Sequence, residues 1–143
     1  MEHYREGDMI LVRLDKGDEV VPCLVRVLGA ERVRGAVVLT GLGALDDTEF
    51  GYFDPVTKSY DRRVAKGSHE LLSLSGIVAP GPDGAMLPHL HVTVAGRNHQ
   101  TLGGHLFSAR VSVLAEFALR VVENPAMRRE KEPEFGLNAL RLR

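Results

Sequence analysis

Apolar and polar residues alternate along much of the chain, which is the period-two pattern of strands buried on one side. The longest such stretch is 111–122, where valine, alanine, phenylalanine and leucine alternate with serine, glutamate and arginine. Shorter β-type runs cover residues 9–14, 36–40 and 70–79. We predict a strand for each run, and we expect the glycines of segment 41–43 to end the buried strand at 36–40.

Turn residues divide these runs into hairpins. Residues 51–54 and 59–62 have the pattern of two short strands joined by a turn at 55–58. The proline- and glycine-rich stretch 80–84 is the strongest loop signal in the chain. Since strands follow one another without intervening helices, their pairing should be mostly antiparallel.

One stretch has the helical period instead. From Val21, apolar residues recur at i, i+3, i+4 and i+7, which predicts one amphipathic helix of about ten to fifteen residues. We expect Asp18 to be its N-cap and Gly29 to lie at its end. Cys23, near the helix start, has no partner thiol and is interpreted as a small filler residue. The pattern therefore predicts an α+β fold with one mixed or antiparallel sheet and few helices.

Length and composition fit a single domain over residues 1–143. The chain is 44% hydrophobic and 26% charged, and its 18 lysines and arginines are offset by 19 acidic residues. The domain is not a polycation, so nonspecific nucleic-acid binding is disfavoured. The densest basic stretch, 128–131, is interleaved with glutamates, a pattern typical of a solvated segment.

The expected location is the cytoplasm. The chain has one cysteine, its start lacks the charged-then-apolar layout of a signal peptide, and no apolar run approaches the roughly 20 residues of a membrane helix.

The candidate chemistry lies in a histidine-rich strand. His89 and His91 alternate with apolar residues, so both imidazoles should project from one face. The polar turn 96–100 would fold the chain back and bring His105, which follows two glycines, to the same face. Three imidazoles would make a site for zinc or another divalent transition metal with one coordination position open. The alternative is that these histidines are unrelated solvent-facing residues.

The order of several motifs resembles the PPC domain, the plant and prokaryote conserved domain also called DUF296. The resemblance spans about residues 8–140. The motifs that carry it are Gly41-Leu-Gly43-Ala44, Gly51-Tyr-Phe-Asp54, Tyr60, segment 70–76, the loop 80–84, His89-Leu-His91-Val, Gly103-Gly-His105-Leu and Ala115-Glu116.

This resemblance implies a mostly antiparallel, strongly bent sheet with few helices, similar to the fold of acetolactate decarboxylase, assembled as a homotrimer. It also implies a zinc ion on His89, His91 and His105, as in some prokaryotic members. Plant members carry an AT-hook and act with nuclear proteins, whereas this chain lacks an Arg-Gly-Arg-Pro core and has lost the arginine and phenylalanine of the plant segment at 67–72. Direct DNA binding is therefore not expected.

Two carboxylates are candidates for the site, because each stands on an apolar strand where burial without a partner would be costly. Glu70 is a tentative general base on metal-bound water or a hydrogen-bond acceptor for a ligand histidine, with an ion pair across a subunit interface as the alternative. Glu116 is more readily explained by a structural ion pair. His69 should point away from Glu70, and Tyr60 is a candidate pocket or packing residue.

Two functional hypotheses remain open. In the first, a trimeric metalloprotein performs lyase-like or hydrolytic chemistry on a small polar metabolite. In the second, the trimer is a DNA-associated or transcription-related interaction module without catalysis. The first requires an open metal position in a pocket; the second requires an exposed basic or apolar surface. The residues alone leave open whether the protein is an enzyme.

Overall fold

The structure is a computed structural model that describes residues 1–122 and 127–142. Its helix and strands are, in chain order, β1 (Glu2–Glu6), β2 (Met9–Asp15), α1 (Val20–Ala30), β3 (Ala36–Asp54), β4 (Ser59–Pro80), β5 (Met86–Ala95), β6 (Thr101–Val121), β7 (Met127–Lys131) and β8 (Asn138–Leu142). No helix among the described residues is long and apolar enough to cross a membrane.

The main sheet has the strand order β1-β2-β6-β3-β4-β5, and β6 also pairs with β5. Every pairing is antiparallel. Because β3 pairs with β4, β4 with β5, β5 with β6 and β6 with β3, these four strands form a closed circuit, which only a strongly bent sheet can make. The predicted fold class, α+β with a mostly antiparallel bent sheet and few helices, is confirmed.

The helix α1 covers the core side of this sheet and packs against β2, β5 and β6. Its buried face consists of Val20, Cys23, Leu24, Val27 and Leu28. Cys23 is a buried free cysteine within the core, as predicted. This apolar stripe supplies the burial that holds the helix on the sheet.

The predicted N-cap was wrong by one residue. Glu19 is the N-cap, in an extended conformation and without a side-chain capping bond. The carboxylate of Asp18 accepts a hydrogen bond from the Asp15 N–H instead, at 3.0 Å, and pairs with the terminal ammonium of Met1 at 3.2 Å. Asp18 therefore stabilises the end of β2 and not the helix.

The glycines at 41–43 do not end a strand, contrary to the prediction. β3 continues through them to Asp54, and Gly43 has a φ of +136°. A Cβ at Gly41 would lie 2.6 Å from the ring of Phe117 on β6. The missing side chains allow β6 to cross close to β3, so these glycines bend the strand without terminating it.

The stretch 111–122 is a strand, as predicted, within β6. One predicted inward residue, Val113, is 63% exposed. Between β3 and β6 the register shifts here, with Gly43 opposite Ala115 and Leu45 opposite Val111. This irregularity breaks the strict alternation, because the extra β6 residues bulge out of the ladder.

The two predicted turns on either side of the histidine strand, at 80–84 and 96–100, are present, and so is the predicted turn at 55–58 between β3 and β4. The β3–β4 turn is held by Asp54, whose Oδ1 accepts from the N–H of Val56 at 2.7 Å. The C-terminal part of the chain forms a further hairpin, in which β7 and β8 pair antiparallel. Arg129 on β7 donates a hydrogen bond to the carbonyl of Ile77 on β4. The C-terminal end of the chain therefore packs against the domain from Met127 onward.

Candidate metal centre

The three predicted histidines converge at one place on the closed circuit. His89 and His91 stand on one face of β5, while Leu90 between them is buried. His105 on β6 is the direct cross-strand partner of His91. One nitrogen from each of the three rings lies within 4.8 Å of the others, and the Nε2 atoms of His89 and His91 are 3.2 Å apart. The predicted convergence is confirmed.

Glycines make this close approach possible. A Cβ at Gly104 would lie 2.6 Å from the carbonyl oxygen of Gly51 on β3, and one at Gly103 would overlap the carbonyl of Val92 on β5. Both are backbone atoms, so neither contact could be relieved by a side-chain rotation. The two glycines before His105 therefore let β6 run tightly between β3 and β5.

The surroundings keep the imidazoles of His89 and His105 neutral. Burial, with the neighbouring His89 and His91 and the charges of Arg62 and Arg129 adding to it, lowers the pKa of His105 to about 4. Burial, followed by the charge of Arg129 and the neighbouring His91, also lowers the pKa of His89. Neutral imidazole is the form that binds a metal ion, so His89 and His105 are available as ligands at neutral pH.

The donor set fits a divalent transition ion. A tetrahedral zinc ion bound at about 2.0–2.1 Å places its nitrogen ligands about 3.3 Å apart, close to the separation of the His89 and His91 nitrogens. The Nδ1 atom of His105 is buried and has no hydrogen-bond partner, the kind of orphaned polar atom that a metal or a buried water satisfies. Three imidazoles suit zinc, cobalt, nickel or iron and disfavour calcium and magnesium.

Aromatic side chains cover the His105 side of the cluster. The rings of Tyr60 and Phe107 lie 5.1 and 4.9 Å from the His105 ring, and the guanidinium of Arg62 lies 3.6 Å from the centre of the Phe107 ring. Burial raises the pKa of Tyr60, so its hydroxyl stays protonated. Sequence reasoning had weighed Tyr60 but missed Phe107, which the strand period places on the same face as His105.

The cluster opens into a cleft of about 780 Å³. The residues that line it are Tyr60, Ser75, Gly76, Ile77, Leu87, Pro88, His89, His91, His105, Arg129, Glu132, Phe135, Leu137, Asn138, Ala139 and Leu140. The β7–β8 hairpin forms its roof and reaches the β3–β4 hairpin, where the rings of Phe53 and Phe135 are 6.3 Å apart. Lys58 Nζ donates to the carbonyl of Glu134 at 2.5 Å in the same contact.

The basic stretch 128–131 was interpreted as a solvated segment, and for Arg129 this was wrong. Arg129 is 4% exposed and lines the cleft, whereas Arg128 beside it is exposed and pairs with Glu130. The strand alternation of β7 accounts for the difference between the two neighbours. The local charge pattern could not show which side of this short strand would meet the body of the domain.

The structure does not bring the predicted carboxylates to the histidines. Glu70 is exposed and lies opposite Ala95, five residues before Ser75, which is the partner of His91. This spacing is roughly 16 Å along a strand, at about 3.3 Å per residue. Glu116 is also exposed and lies opposite Arg13 on β2. Neither lines the cleft, so the geometry gives the catalytic role predicted for Glu70 no support.

The other three histidines do not line the cleft. His3 contacts Glu31 at 2.8 Å, His69 contacts the carbonyl of Gly67 at 3.0 Å, and His99 lies in the β5–β6 turn with a φ of +61°.

A closed antiparallel circuit with three converging histidines defines a class of small β-rich protein with a candidate trihistidine metal centre. A family model for the Plants and Prokaryotes Conserved (PCC) domain matches residues 1–123. The chain belongs to this family, which confirms the resemblance to the plant and prokaryote conserved (PPC) domain.

Solved structures of similar proteins superimpose on nearly the whole chain. A plant- and prokaryote-conserved (PPC) protein from Pyrococcus horikoshii is 28% identical, with a TM-score of 0.84 over 97% of this chain and 92% of its own. A metal-containing protein from Archaeoglobus fulgidus is 31% identical, with a TM-score of 0.83 over 96% and 95%. A protein from Bacteroides thetaiotaomicron, provisionally named as DNA-binding, is 25% identical, with a TM-score of 0.91 over 99% and 96%. No curated protein matches the chain significantly.

Proposed function

We propose that this protein binds one divalent transition metal ion, zinc in the first instance, through His89, His91 and His105. The observation that carries the proposal is the convergence of three ligand nitrogens within 4.8 Å at the floor of a cleft. The metal-containing relative from Archaeoglobus fulgidus supports it. Three protein ligands leave a coordination position for water or a small molecule, as in catalytic zinc sites.

The proposed chemistry is lyase-like or hydrolytic, on a small polar metabolite that enters the cleft. When bound, the ion would supply Lewis acidity to a carbonyl group or a water molecule. The chain's own residues would position the ligand. Tyr60 and Phe107 cover His105 and limit the access of water, and the protonated Tyr60 hydroxyl can donate a hydrogen bond.

Elemental analysis of protein purified without a histidine tag tests the metal site. We expect about one zinc or other transition ion per chain and its loss in the His89→Ala, His91→Ala double variant, because one remaining imidazole binds such an ion only weakly. A His69→Ala, His99→Ala double variant is the matched control and should keep the metal. Wild-type protein that is metal-free and takes up no added zinc contradicts the proposal.

We further propose that three chains associate, the number that the family resemblance implies. Support comes from apolar side chains that a single chain leaves exposed on the side of the sheet away from α1. Tyr4, Leu11 and Leu42 are 64%, 55% and 52% exposed and line one shallow groove across β1, β2 and β3. Exposed apolar residues grouped in this way are typical of association surfaces.

The second candidate is an interaction module that acts near DNA without catalysis. Its specific support is the provisional DNA-binding name of the relatives from Bacteroides thetaiotaomicron and Ralstonia eutropha. The net charge of −1 argues against strong direct binding. Electrophoretic mobility shift with random duplex DNA separates the two hypotheses, since the metalloprotein hypothesis predicts no shift at physiological salt.

A further inference from the structure

The cleft above the histidines holds a cation that the metal site does not use. Arg129 is 4% exposed, and its guanidinium donates to the carbonyl of Ile77 at 3.0 Å and to the carbonyl of Asn138 at 3.3 Å. Its Nε is buried and has no hydrogen-bond partner. Within residues 1–122 and 127–142, no ion pair joins Arg129 to a carboxylate.

A buried guanidinium without a carboxylate is unusual. Arginine is almost never fully buried unless it is paired, because an uncompensated charge loses its hydration. Two backbone carbonyls satisfy part of its hydrogen-bonding capacity and leave its charge unneutralised. Such a group is stabilised when an anion binds beside it.

The position of Arg129 relates this charge to the histidines. Ile77, whose carbonyl accepts from the guanidinium, is the cross-strand partner of His89. Cross-strand partners have Cβ atoms about 5 Å apart, so Arg129 is held at the side of His89. The charge of Arg129 contributes to the lowered pKa of both His89 and His105, which agrees with this placement.

The rest of the cleft has few anionic groups that could pair with the guanidinium of Arg129. The one acidic residue that lines it among the described residues is Glu132, whose carboxylate accepts from the N–H of Phe135 at 2.9 Å in the hairpin turn. Most of the other lining is apolar and consists of Ile77, Leu87, Pro88, Leu137, Ala139 and Leu140. The cleft thus combines one cation beside the histidines with an apolar wall.

We propose that the cleft binds a small organic carboxylate, with its anionic group between the three histidines and Arg129 and its carbon body against the apolar wall. This inference rests on the proposed metal site for one side of the carboxylate and on Arg129 for the other. A planar guanidinium suits the two oxygens of a carboxylate. A phosphate is disfavoured, since phosphate sites gather several N–H donors or cations, whereas this wall is apolar.

Calorimetric titration of the zinc-loaded protein tests the inference with three probes, isobutyrate, its neutral amide isobutyramide, and inorganic phosphate. We expect isobutyrate to bind about tenfold or more tightly than either of the others, as a charge-assisted contact implies. Arg129→Met should weaken the binding of isobutyrate by about tenfold or more, and Arg129→Lys should weaken it by less. Arg128→Met removes the same charge from the exposed neighbour and should change nothing.

The zinc content and melting temperature of each variant are measured beside the titration. Isobutyrate affinity unchanged in folded, zinc-loaded Arg129→Met overturns the inference. So does wild-type protein that binds isobutyramide or phosphate as tightly as isobutyrate, or that binds none of the probes. If Arg129→Met does not fold, the inference is tested instead by the ratio of the isobutyrate and isobutyramide affinities in the wild type and by the Arg129→Lys titration.

The two proposals fail separately. Wild-type protein that takes up no zinc but binds isobutyrate through Arg129 contradicts the metal site and leaves the carboxylate site standing. Zinc-loaded protein that does not bind isobutyrate contradicts the carboxylate site and leaves the metal site standing.

Discussion

At the scale of single residues, His105 is the side chain on which the site most depends. Like His91, it lies in two ladders, and its partners are Gly51 on β3 and His91 on β5. Tyr60 and Phe107 pack beside it, and its Nδ1 has no partner among the described residues. The fold therefore holds a neutral, ligand-competent imidazole in a fixed place, with part of its hydrogen-bonding capacity unused.

This burial predicts a pH dependence of stability in protein freed of metal by a chelator. The pKa of His105 is about 4 when folded and about 6.5 in an unfolded chain. Between these values the unfolded chain binds a proton that the folded chain does not. The free energy of unfolding should therefore fall as the pH falls from about 6.5 to about 4, with no further contribution below.

Urea titrations at several pH values between 7 and 4 measure this effect. His105→Asn should show a shallower decline than the wild type, since it removes the group whose pKa is most clearly lowered. His99→Asn is the control, because His99 lies in an exposed turn with a positive φ that asparagine tolerates. Parallel declines in wild type and His105→Asn would disprove the predicted role of His105.

At the scale of elements, glycines determine how closely the strands approach each other at the site. Gly76 on β4 faces β5, and a Cβ there would overlap the carbonyl oxygen of His89. Gly104 makes the corresponding approach between β6 and β3. The closed circuit and the position of the histidines therefore depend on the same residues.

Gly76→Ala should lower both stability and metal affinity. The new methyl group meets backbone that cannot rotate away, at a residue whose φ of +152° disfavours a side chain. We expect a loss of about 2 kcal/mol in the free energy of unfolding, measured by urea titration, because strained backbone and overpacking each cost about 1–3 kcal/mol.

The same displacement moves His89, so zinc should bind more weakly in a competition with a coloured chelator. Gly29→Ala is the matched control, since a Cβ there meets nothing within 4 Å in α1 and should be neutral or slightly stabilising. Equal stability and zinc affinity in Gly76→Ala and the wild type would rule out the close contact.

At the scale of the whole molecule, the sheet has one face against α1 and another that a single chain leaves partly apolar. The buried core lies on the helix side. On the other side, Leu11 and Leu42 are exposed in the groove that also contains Tyr4. A monomer would leave these side chains in water, which supports the proposed trimer.

Light scattering coupled to gel filtration should give the mass of three chains. Leu42→Lys should lower the mass towards that of one chain, because association would remove the charged ammonium group from water. Val56→Lys is the control, since Val56 is 87% exposed in the β3–β4 turn and should leave the trimer intact. A wild-type protein with the mass of one chain contradicts the proposed assembly.

The sequence was sufficient to predict strands within β2 to β6, the single helix and the convergence of His89, His91 and His105, because each depends on local periodicity and on one short turn. It did not predict β1, β7 or β8. It did not predict that β3 runs through Gly41 and Gly43, since only the partner strand shows why glycine is needed there. Nor did it predict the burial of Arg129, which depends on where the C-terminal hairpin lies.

The placement of Glu70 exposes a different limit. Its apolar neighbours suggested burial, yet the residue is exposed on β4 and far along the strand from the partner of His91. Strand register is a long-range property that alternation alone cannot set. The role of Glu70 in catalysis stays a prediction without geometric support.

The central claim is that these three histidines form one metal centre, and X-ray absorption at the zinc edge tests it most directly. We expect about three imidazole nitrogens at about 2.0–2.1 Å from the zinc and one further light ligand. His105→Ala should lose one imidazole from this shell. Zinc bound mainly by carboxylate oxygens, or a spectrum unchanged by His105→Ala, would contradict the account.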